Sequence, residues 1–98
     1  MTRVTVNTYG SINAEADWDS KEVVLPQDSV TVEDVLRSTT LADGRTLFDL
    51  IADETGLKED YNLFLNGRSL FRLEALREPI KSQDVIATMD ILHPIGGG

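Results

Sequence analysis

The sequence Tyr61-Asn62-Leu63-Phe64-Leu65-Asn66-Gly67-Arg68 decides the fold, because it predicts a strand and the tight turn that ends it. Alternation places three residues on one side of this strand, namely Tyr61, Leu63 and Leu65. Asn66-Gly67 tolerates the positive φ angles of a two-residue hairpin turn, and the chain continues as a strand beyond it. We therefore predict a hairpin with Phe64 on the opposite, open side of the sheet. There Phe64 forms either a minor cluster or edge contact, or part of a recognition surface.

Strand-like alternation also occurs near both ends of the chain. The runs 3–9 and 21–26 predict an antiparallel hairpin joined by a polar connection over residues 10–17. Trp18 lies in this connecting region, either as a ring over the edge of the core or as a partner-binding aromatic. Residues 84 to about 92 predict the last strand, and one of its sides carries Val85, Ala87, Met89 and Ile91.

Helical signals lie between the two hairpins. Thr31 and Asp34 have the spacing of a capping box and predict a helix that begins at residue 32. A second helical stripe is formed by Leu47, Leu50 and Ile51, with Phe48 on its flank, and it runs to a left-handed stop at Gly56. Further on, a connecting loop is predicted around Leu76, Pro79 and Ile80. The sequence thus contains two short helices, or one helix with a broken middle.

This order of elements predicts an α+β fold. Hairpins at both ends with helix between them can form one mixed sheet of four to five strands, covered by a main helix on one face. The first and last strands then lie side by side in the middle of the sheet. The other face of the sheet is left half-exposed.

Composition excludes several classes of function. The chain has 98 residues and a formal net charge of −8, which disfavours nucleic acid and anionic membranes as partners. It has no cysteine, so disulfides and thiolate metal sites are excluded, and its one histidine is His93. We interpret His93 as a half-exposed residue at the end of the last strand rather than as a catalytic base. No signal peptide is visible, and we expect a cytoplasmic protein.

The last five residues are Pro94-Ile95-Gly96-Gly97-Gly98, and they follow the apolar last strand. Glycines here form neither a helix cap nor a turn, so this tail is either an inert end or a reactive arm that carries the carboxylate of Gly98. A bare glycine chain is narrow enough to enter a buried active site. The sequence has no phosphate-binding loop, so ATP-dependent activation of that carboxylate requires another protein.

The chain resembles the MoaD/ThiS sulfur carriers of the ubiquitin-like β-grasp fold, and within them the archaeal-type MoaD-like proteins. The resemblance is carried by Leu63-Phe64-Leu65-Asn66-Gly67-Arg68, by the stretch from Leu76 to Ile80, and by His93-Pro94-Ile95-Gly96-Gly97-Gly98. It covers nearly the whole chain. One departure is Gln83-Asp84, since members often have Gly-Asp before the last strand.

The resemblance implies a single β-grasp domain over residues 1–93 and a flexible glycine tail over residues 94–98. It implies that a separate E1-like enzyme uses ATP to adenylate the carboxylate of Gly98, which then becomes a thiocarboxylate. Gly98 and Gly97 are then the reacting end, and the residues that contact partners are Phe64, Pro94, Ile95 and Gly96. The implied partners are that E1-like enzyme and a sulfur-accepting synthase subunit, and no cofactor is bound stably.

Three functions remain open at this point. The first is a sulfur carrier in cofactor biosynthesis of the molybdopterin or thiamine type. The second is a ubiquitin-like modifier joined to lysines of other proteins through its terminal glycine. The third is a non-catalytic β-grasp interaction module with an inert tail.

Overall fold

The structure is a computed structural model that describes residues 1–71 and 73–90. Arg72 and residues 91–98 therefore lie outside the described residues. In chain order the elements are β1 (Thr2–Thr8), α1 (Ser11–Ala16), β2 (Ser20–Leu25), β3 (Val30–Thr31), α2 (Val32–Arg37), α3 (Leu47–Ile51), β4 (Ala52–Asp53), β5 (Gly56–Leu57), β6 (Tyr61–Leu65), β7 (Arg68–Ser69), a 3₁₀ helix (Ala75–Arg77), β8 (Pro79–Ile80) and β9 (Val85–Asp90).

Five of these strands form one mixed sheet in the order β2-β1-β9-β6-β7. β1 and β9 lie parallel in the middle, with Thr5 opposite Val85, and β6 is antiparallel to β9, with Phe64 opposite Ala87. Parallel neighbours need a long connection between them, and here the helices supply it. The predicted α+β arrangement, with the first and last strands side by side, is confirmed.

The core lies between one face of the sheet and the helices. β1 shows the alternation clearly, because Val4 and Val6 are fully buried whereas Thr5 between them is not. The four buried polar residues of the described chain are all threonines, and each hydroxyl donates to a backbone carbonyl: Thr2 to Gln27 at 2.8 Å, Thr8 to Trp18 at 2.5 Å, Thr39 to Val35 at 2.7 Å and Thr88 to Asn7 at 3.2 Å. Burial of these hydroxyls therefore leaves no donor unsatisfied.

The capping box predicted for α2 is confirmed. The backbone N–H of Asp34 donates to the hydroxyl of Thr31 at 3.4 Å, and the N–H of Thr31 donates to the Asp34 carboxylate at 3.0 Å. A second capping box, which the sequence analysis missed, joins Thr46 and Asp49 at the start of α3. Two sequence signals of the same type thus fix where both helices begin.

The prediction that the second helix runs to Gly56 is wrong. α3 ends at Ile51, and the chain turns through a small hairpin of β4 and β5 in which Ala52 pairs with Leu57. Gly56 has its positive φ of 125° within this hairpin. Phe48 is also buried rather than on the flank, because the helix presents Leu47, Phe48 and Ile51 to the core.

The predicted polar connection over residues 10–17 contains a helix, α1, that the sequence did not predict. Ile12 and Ala16, four residues apart, form the buried side of α1. Its N-terminus has no local side-chain cap. Instead the Asp90 carboxylate accepts hydrogen bonds from the N–H and the hydroxyl of Ser11, at 2.8 and 2.6 Å. The helix was not predictable because its cap comes from a residue 79 positions away.

The prediction of a connecting loop around residues 76–80 is also wrong in part. Leu76 lies in the 3₁₀ helix and Ile80 in β8, and both are buried. β8 exists because Ile80 pairs with Val30 of β3, an antiparallel contact between distant parts of the chain.

Trp18 is part-buried against the core, as the first of its two interpretations expects.

The hairpin of β6 and β7 forms as predicted. Asn66 and Gly67 have φ angles of 52° and 86°. The Asn66 side chain accepts from the N–H of Val85 at 2.9 Å and donates to Asp84 at 3.0 Å, so it ties the turn to the start of β9. Gln83 has a φ of 76°, a left-handed conformation that glycine adopts more easily than glutamine.

We predict that Asn66→Gly lowers the free energy of unfolding by about 1 kcal/mol, since glycine keeps the turn conformation but loses the two side-chain hydrogen bonds. Asn66→Ala loses those bonds and also adds the strain of a left-handed residue, so it should cost about 1 kcal/mol more. Urea unfolding of both variants measures the difference. Equal stability of the glycine and alanine variants would contradict this account of the turn.

Candidate functional site

The predicted reacting end lies outside the described residues. This applies to Gly98, Gly97, Gly96, Ile95 and Pro94, and to His93 before them. Of the predicted site residues the structure describes Phe64, together with the strand that leads to the tail. The site can therefore be built from β9, from the strands beside it and from the residues around its last position, Asp90.

Phe64 lies part-buried on the face of the sheet opposite to the core. Its neighbours Leu63 and Leu65 are buried, so the alternation predicted for β6 is confirmed. Tyr61 lies on their side of the strand and is part-buried against the core. By register, Phe64 lies between Ala87 of β9 and Ser69 of β7.

The apolar side of β9 also faces outward. The buried residues of β9 are Ile86 and Thr88, on its inner side. Val85, Ala87 and Met89 are part-buried on the open face. Residues opposite one another in neighbouring strands lie close enough to form a continuous surface. We name the surface formed by Phe64, Val85, Ala87 and Met89 the apolar strip.

Polar and charged residues border the apolar strip. Thr5 and Asn7 of β1 are part-buried opposite Val85 and Ala87. Farther out, Arg3 and Glu22 form an exposed ion pair at 3.7 Å. An apolar centre with a polar rim has the composition of a protein-binding surface.

The end of β9 is held on two sides. Tyr61 of β6 pairs with Asp90, and Asp90 caps α1 through Ser11 as described above. The N–H of Tyr9 donates to the carbonyl of Thr88 at 3.0 Å. These contacts fix the point from which the chain continues toward Pro94. No local pattern in the sequence predicts this arrangement, because the contacting residues come from three distant segments of the chain.

Negative charge surrounds this point. Burial raises the pKa of the Tyr61 phenol above its ordinary value, and the nearby carboxylates of Asp90 and Asp60 raise it further. Glu15, a more distant acid, is paired with Arg45 at 2.6 Å. A partner that receives the tail here meets an acidic surface, so basic residues on the partner would complement it.

A shallow cleft of about 550 Å³ lies at the same end of the sheet. Its lining consists of Asn7, Thr8, Tyr9, Gly10, Asn13, Asp19 and Ser20. The Asn13 side chain donates to the carbonyl of Trp18 at 3.2 Å and contacts Asp19, so it holds the loop before β2 in place. We assign these residues a structural role.

Within residues 1–71 and 73–90, no group of three or more His, Cys, Asp or Glu residues lies close enough together to hold a metal ion. Nor does this part of the chain contain a helix of the length and apolarity needed to cross a lipid bilayer.

We predict that Tyr61 ionises above the ordinary tyrosine pKa of 10.0. Tyr9→Phe leaves Tyr61 as the one tyrosine, so the ultraviolet absorbance of phenolate reports its titration directly. Asp90→Asn should lower the midpoint, because it removes a negative charge that disfavours the phenolate. The matched control is Glu22→Gln, which makes the same charge change in β2 and should leave the midpoint unchanged. A midpoint that is insensitive to Asp90→Asn would contradict the proximity of these two residues.

No family model matches the sequence, and no curated protein matches it. Solved structures do match. The crystal structure of small archaeal modifier protein 1 from H. volcanii is 19% identical with a TM-score of 0.69, over 91% of this chain and 97% of that one. The solution structure of small archaeal modifier protein 1 from Methanosarcina acetivorans is 24% identical with a TM-score of 0.64, over 100% and 98% of the two chains.

A third similar structure, from Pyrococcus furiosus, is described as a molybdopterin converting factor, subunit 1. It is 23% identical with a TM-score of 0.68, over 92% of this chain and 98% of that one. At these identities the likeness establishes the fold, which is the ubiquitin-like β-grasp that the sequence resemblance implies. The descriptions of these proteins name both a modifier and a subunit of a cofactor-synthesis factor.

Proposed function

We propose that this protein is a ubiquitin-like sulfur carrier whose Gly98 carboxylate is activated by a separate E1-like enzyme. The observation that carries the proposal is the course of β9. This central strand has the apolar strip on its open face and continues toward the glycine-terminated sequence 94–98. The β-grasp fold shared with a molybdopterin converting factor subunit supports the same function.

The chemistry begins with a carboxylate, which is a poor electrophile. In the proposed activation one Gly98 carboxylate oxygen attacks the α-phosphorus of ATP, and pyrophosphate leaves. Hydrosulfide, or an equivalent sulfur donor, then attacks the acyl carbon of the adenylate. AMP leaves with the oxygen that joined it to the acyl group, and Gly98 becomes a thiocarboxylate. The absence of cysteine fits this chemistry, because no thiol of the carrier competes for the activated carbonyl.

The rigid domain has a thermodynamic role in this proposal. Ordering the five residues 94–98 inside an enzyme costs roughly 5–10 kcal/mol, at about 1–2 kcal/mol per residue. At about 25 cal/mol per Å², burial of roughly 200–400 Å² of apolar surface offsets that cost. The apolar strip is the surface that would supply this area. Phe64 is its one aromatic residue, and aromatic anchors commonly dominate such interfaces.

The thiocarboxylate would pass its sulfur to an acceptor bound to a synthase subunit, in cofactor biosynthesis of the molybdopterin or thiamine type. ATP is consumed by the activating enzyme, and no cofactor is assigned to the carrier itself. Pro94, Ile95 and Gly96 would form the narrow neck that crosses the enzyme surface, and Gly97 and Gly98 would reach the reacting atoms. The acidic residues around Asp90 favour basic partners.

A second candidate is a ubiquitin-like protein modifier, which the descriptions of two structural neighbours favour. It shares the activation of Gly98. The steps differ afterwards, because a lysine amine of a target protein attacks the activated carbonyl and an isopeptide bond forms. The fold and the apolar strip serve both functions equally well.

We predict that incubation with the host's E1-like enzyme, ATP and a sulfide source replaces one oxygen of the C-terminal carboxylate by sulfur. Intact-mass spectrometry detects this exchange and also shows whether Gly98 is the last residue of the mature protein. Deletion of Gly97 and Gly98 should abolish the product without loss of stability. Trypsin cleaves this chain for the last time after Lys81, so a modified lysine would keep residues 82–98 as its remnant. That remnant on lysines of digested host extract, with no sulfur-containing species, would instead establish the modifier.

We predict that Phe64→Ser raises the KM of the activating enzyme for this protein by about tenfold, a loss of about 1.4 kcal/mol of binding. The kcat should change little, because Phe64 contacts the enzyme and not the reacting carboxylate. Val24→Ser is the matched control, since Val24 is an exposed apolar residue of edge strand β2 outside the apolar strip. Pyrophosphate release measures both constants. Equal KM values for the two variants would remove the apolar strip from the proposal.

A further inference from the structure

The turn after β7 exposes two large apolar side chains. Phe71 is 81% exposed and Leu73 is 67% exposed, whereas Leu70 just before them is buried. Of the described residues, only Met1 at the chain start exposes a large apolar side chain to a similar degree, at 70%. Contiguous exposed apolar surface on a soluble domain commonly marks a place where another molecule binds.

The backbone on both sides of these residues is well anchored. The N–H of Leu70 donates to the carbonyl of Leu63 at 3.0 Å, which fixes the turn to β6. The carbonyl of Phe71 accepts from the N–H groups of Glu74 and Ala75, at 3.1 and 2.8 Å. Ala75 is buried in the 3₁₀ helix that follows. The two apolar side chains therefore project from a hydrogen-bonded turn.

Carboxylates flank both side chains. A cleft of about 390 Å³ beside Leu73 is lined by Glu33, Glu54 and Glu74, with Arg77 as its one basic residue. A second cleft of about 210 Å³ beside Phe71 is lined by Glu74 and Glu78, with Arg68 as its basic residue. The apolar side chains are thus placed among acids.

Two of these acids have no ion partner among the described residues. Glu33 is paired with Arg37 at 2.8 Å and Glu78 with Arg68 at 3.0 Å, whereas the carboxylates of Glu54 and Glu74 have no ion pair within residues 1–71 and 73–90. Unpaired carboxylates around an apolar centre are complementary to an apolar surface bordered by lysine or arginine.

We propose that Phe71 and Leu73, flanked by Glu54 and Glu74, form a second docking surface for a basic amphipathic segment of another protein. Apolar side chains of that segment would contact Phe71 and Leu73, and its cationic side chains would pair with the carboxylates of Glu54 and Glu74. A second copy of this chain is a poorer match for these carboxylates, because it carries a net charge of −8. An anionic membrane is repelled by the same charges.

This surface shares no residue with the apolar strip, since neither cleft described here includes one. The two surfaces approach each other at Ser69, which lines the cleft beside Phe71 and lies opposite Phe64. The inference does not rest on the proposed chemistry at Gly98.

The test is an NMR titration of the full chain with a synthetic amphipathic peptide of leucine and lysine at helical spacing. The expected amide shifts are centred on Phe71, Leu73 and Glu74. The double variant Phe71→Ser with Leu73→Ser should lower the affinity for the peptide by about tenfold, because it removes two apolar anchors. Glu54→Gln combined with Glu74→Gln should weaken it less and should flatten its dependence on salt.

The controls use the same changes elsewhere. Val24→Ser combined with Glu22→Gln removes one exposed apolar side chain and one acid in β2, and should leave affinity within about twofold. A peptide with glutamate in place of lysine should not bind. Because Leu73 is largely exposed, the single variant Leu73→Ser keeps the test valid if the double serine variant unfolds.

Three outcomes would overturn the proposal. Peptide shifts confined to the apolar strip would place the binding elsewhere. Unchanged affinity of the serine variants would remove Phe71 and Leu73 from the surface. A concentration-dependent dimer in sedimentation experiments, lost in the serine variants, would identify a second copy of the chain as the occupant.

Discussion

The position of β9 between β1 and β6 is the constraint on which the rest of the structure depends. Its parallel contact with β1 joins the two ends of the chain, and its antiparallel contact with β6 fixes the face on which Phe64 lies. A parallel neighbour forces the intervening chain to cross one face of the sheet, where the helices then cover it. The opposite face stays open, and β9 is the last described element before the glycine tail.

A hydrogen bond allows a polar residue of β9 to enter the core. The side with Val85, Ala87 and Met89 is the more apolar one, yet it faces outward. The inner side accommodates Thr88 because its hydroxyl donates to the carbonyl of Asn7, and the other buried threonines follow the same pattern. The sheet thus keeps its more apolar side available for contact. Exposure of this apolar side to water costs free energy, and docking of a partner would remove that cost.

The end of β9 is held by contacts with two other elements and carries a negative charge. Asp90 caps α1 and pairs with Tyr61, so one residue links the last strand to the first helix. The same carboxylate contributes to the raised pKa of Tyr61. With a net charge of −8, the chain as a whole is suited to basic protein partners.

The sequence by itself determined the features that depend on neighbours within a few residues. These are the strand alternations, the Asn66-Gly67 turn and the capping box at Thr31. Only the tertiary structure decided where distant segments meet. The helix capped by Asp90, the pairing of Val30 with Ile80, and the outward side of β9 each depend on partners far away in the chain. Local periodicity cannot report such partners, because it records which residues share a side and not what that side contacts.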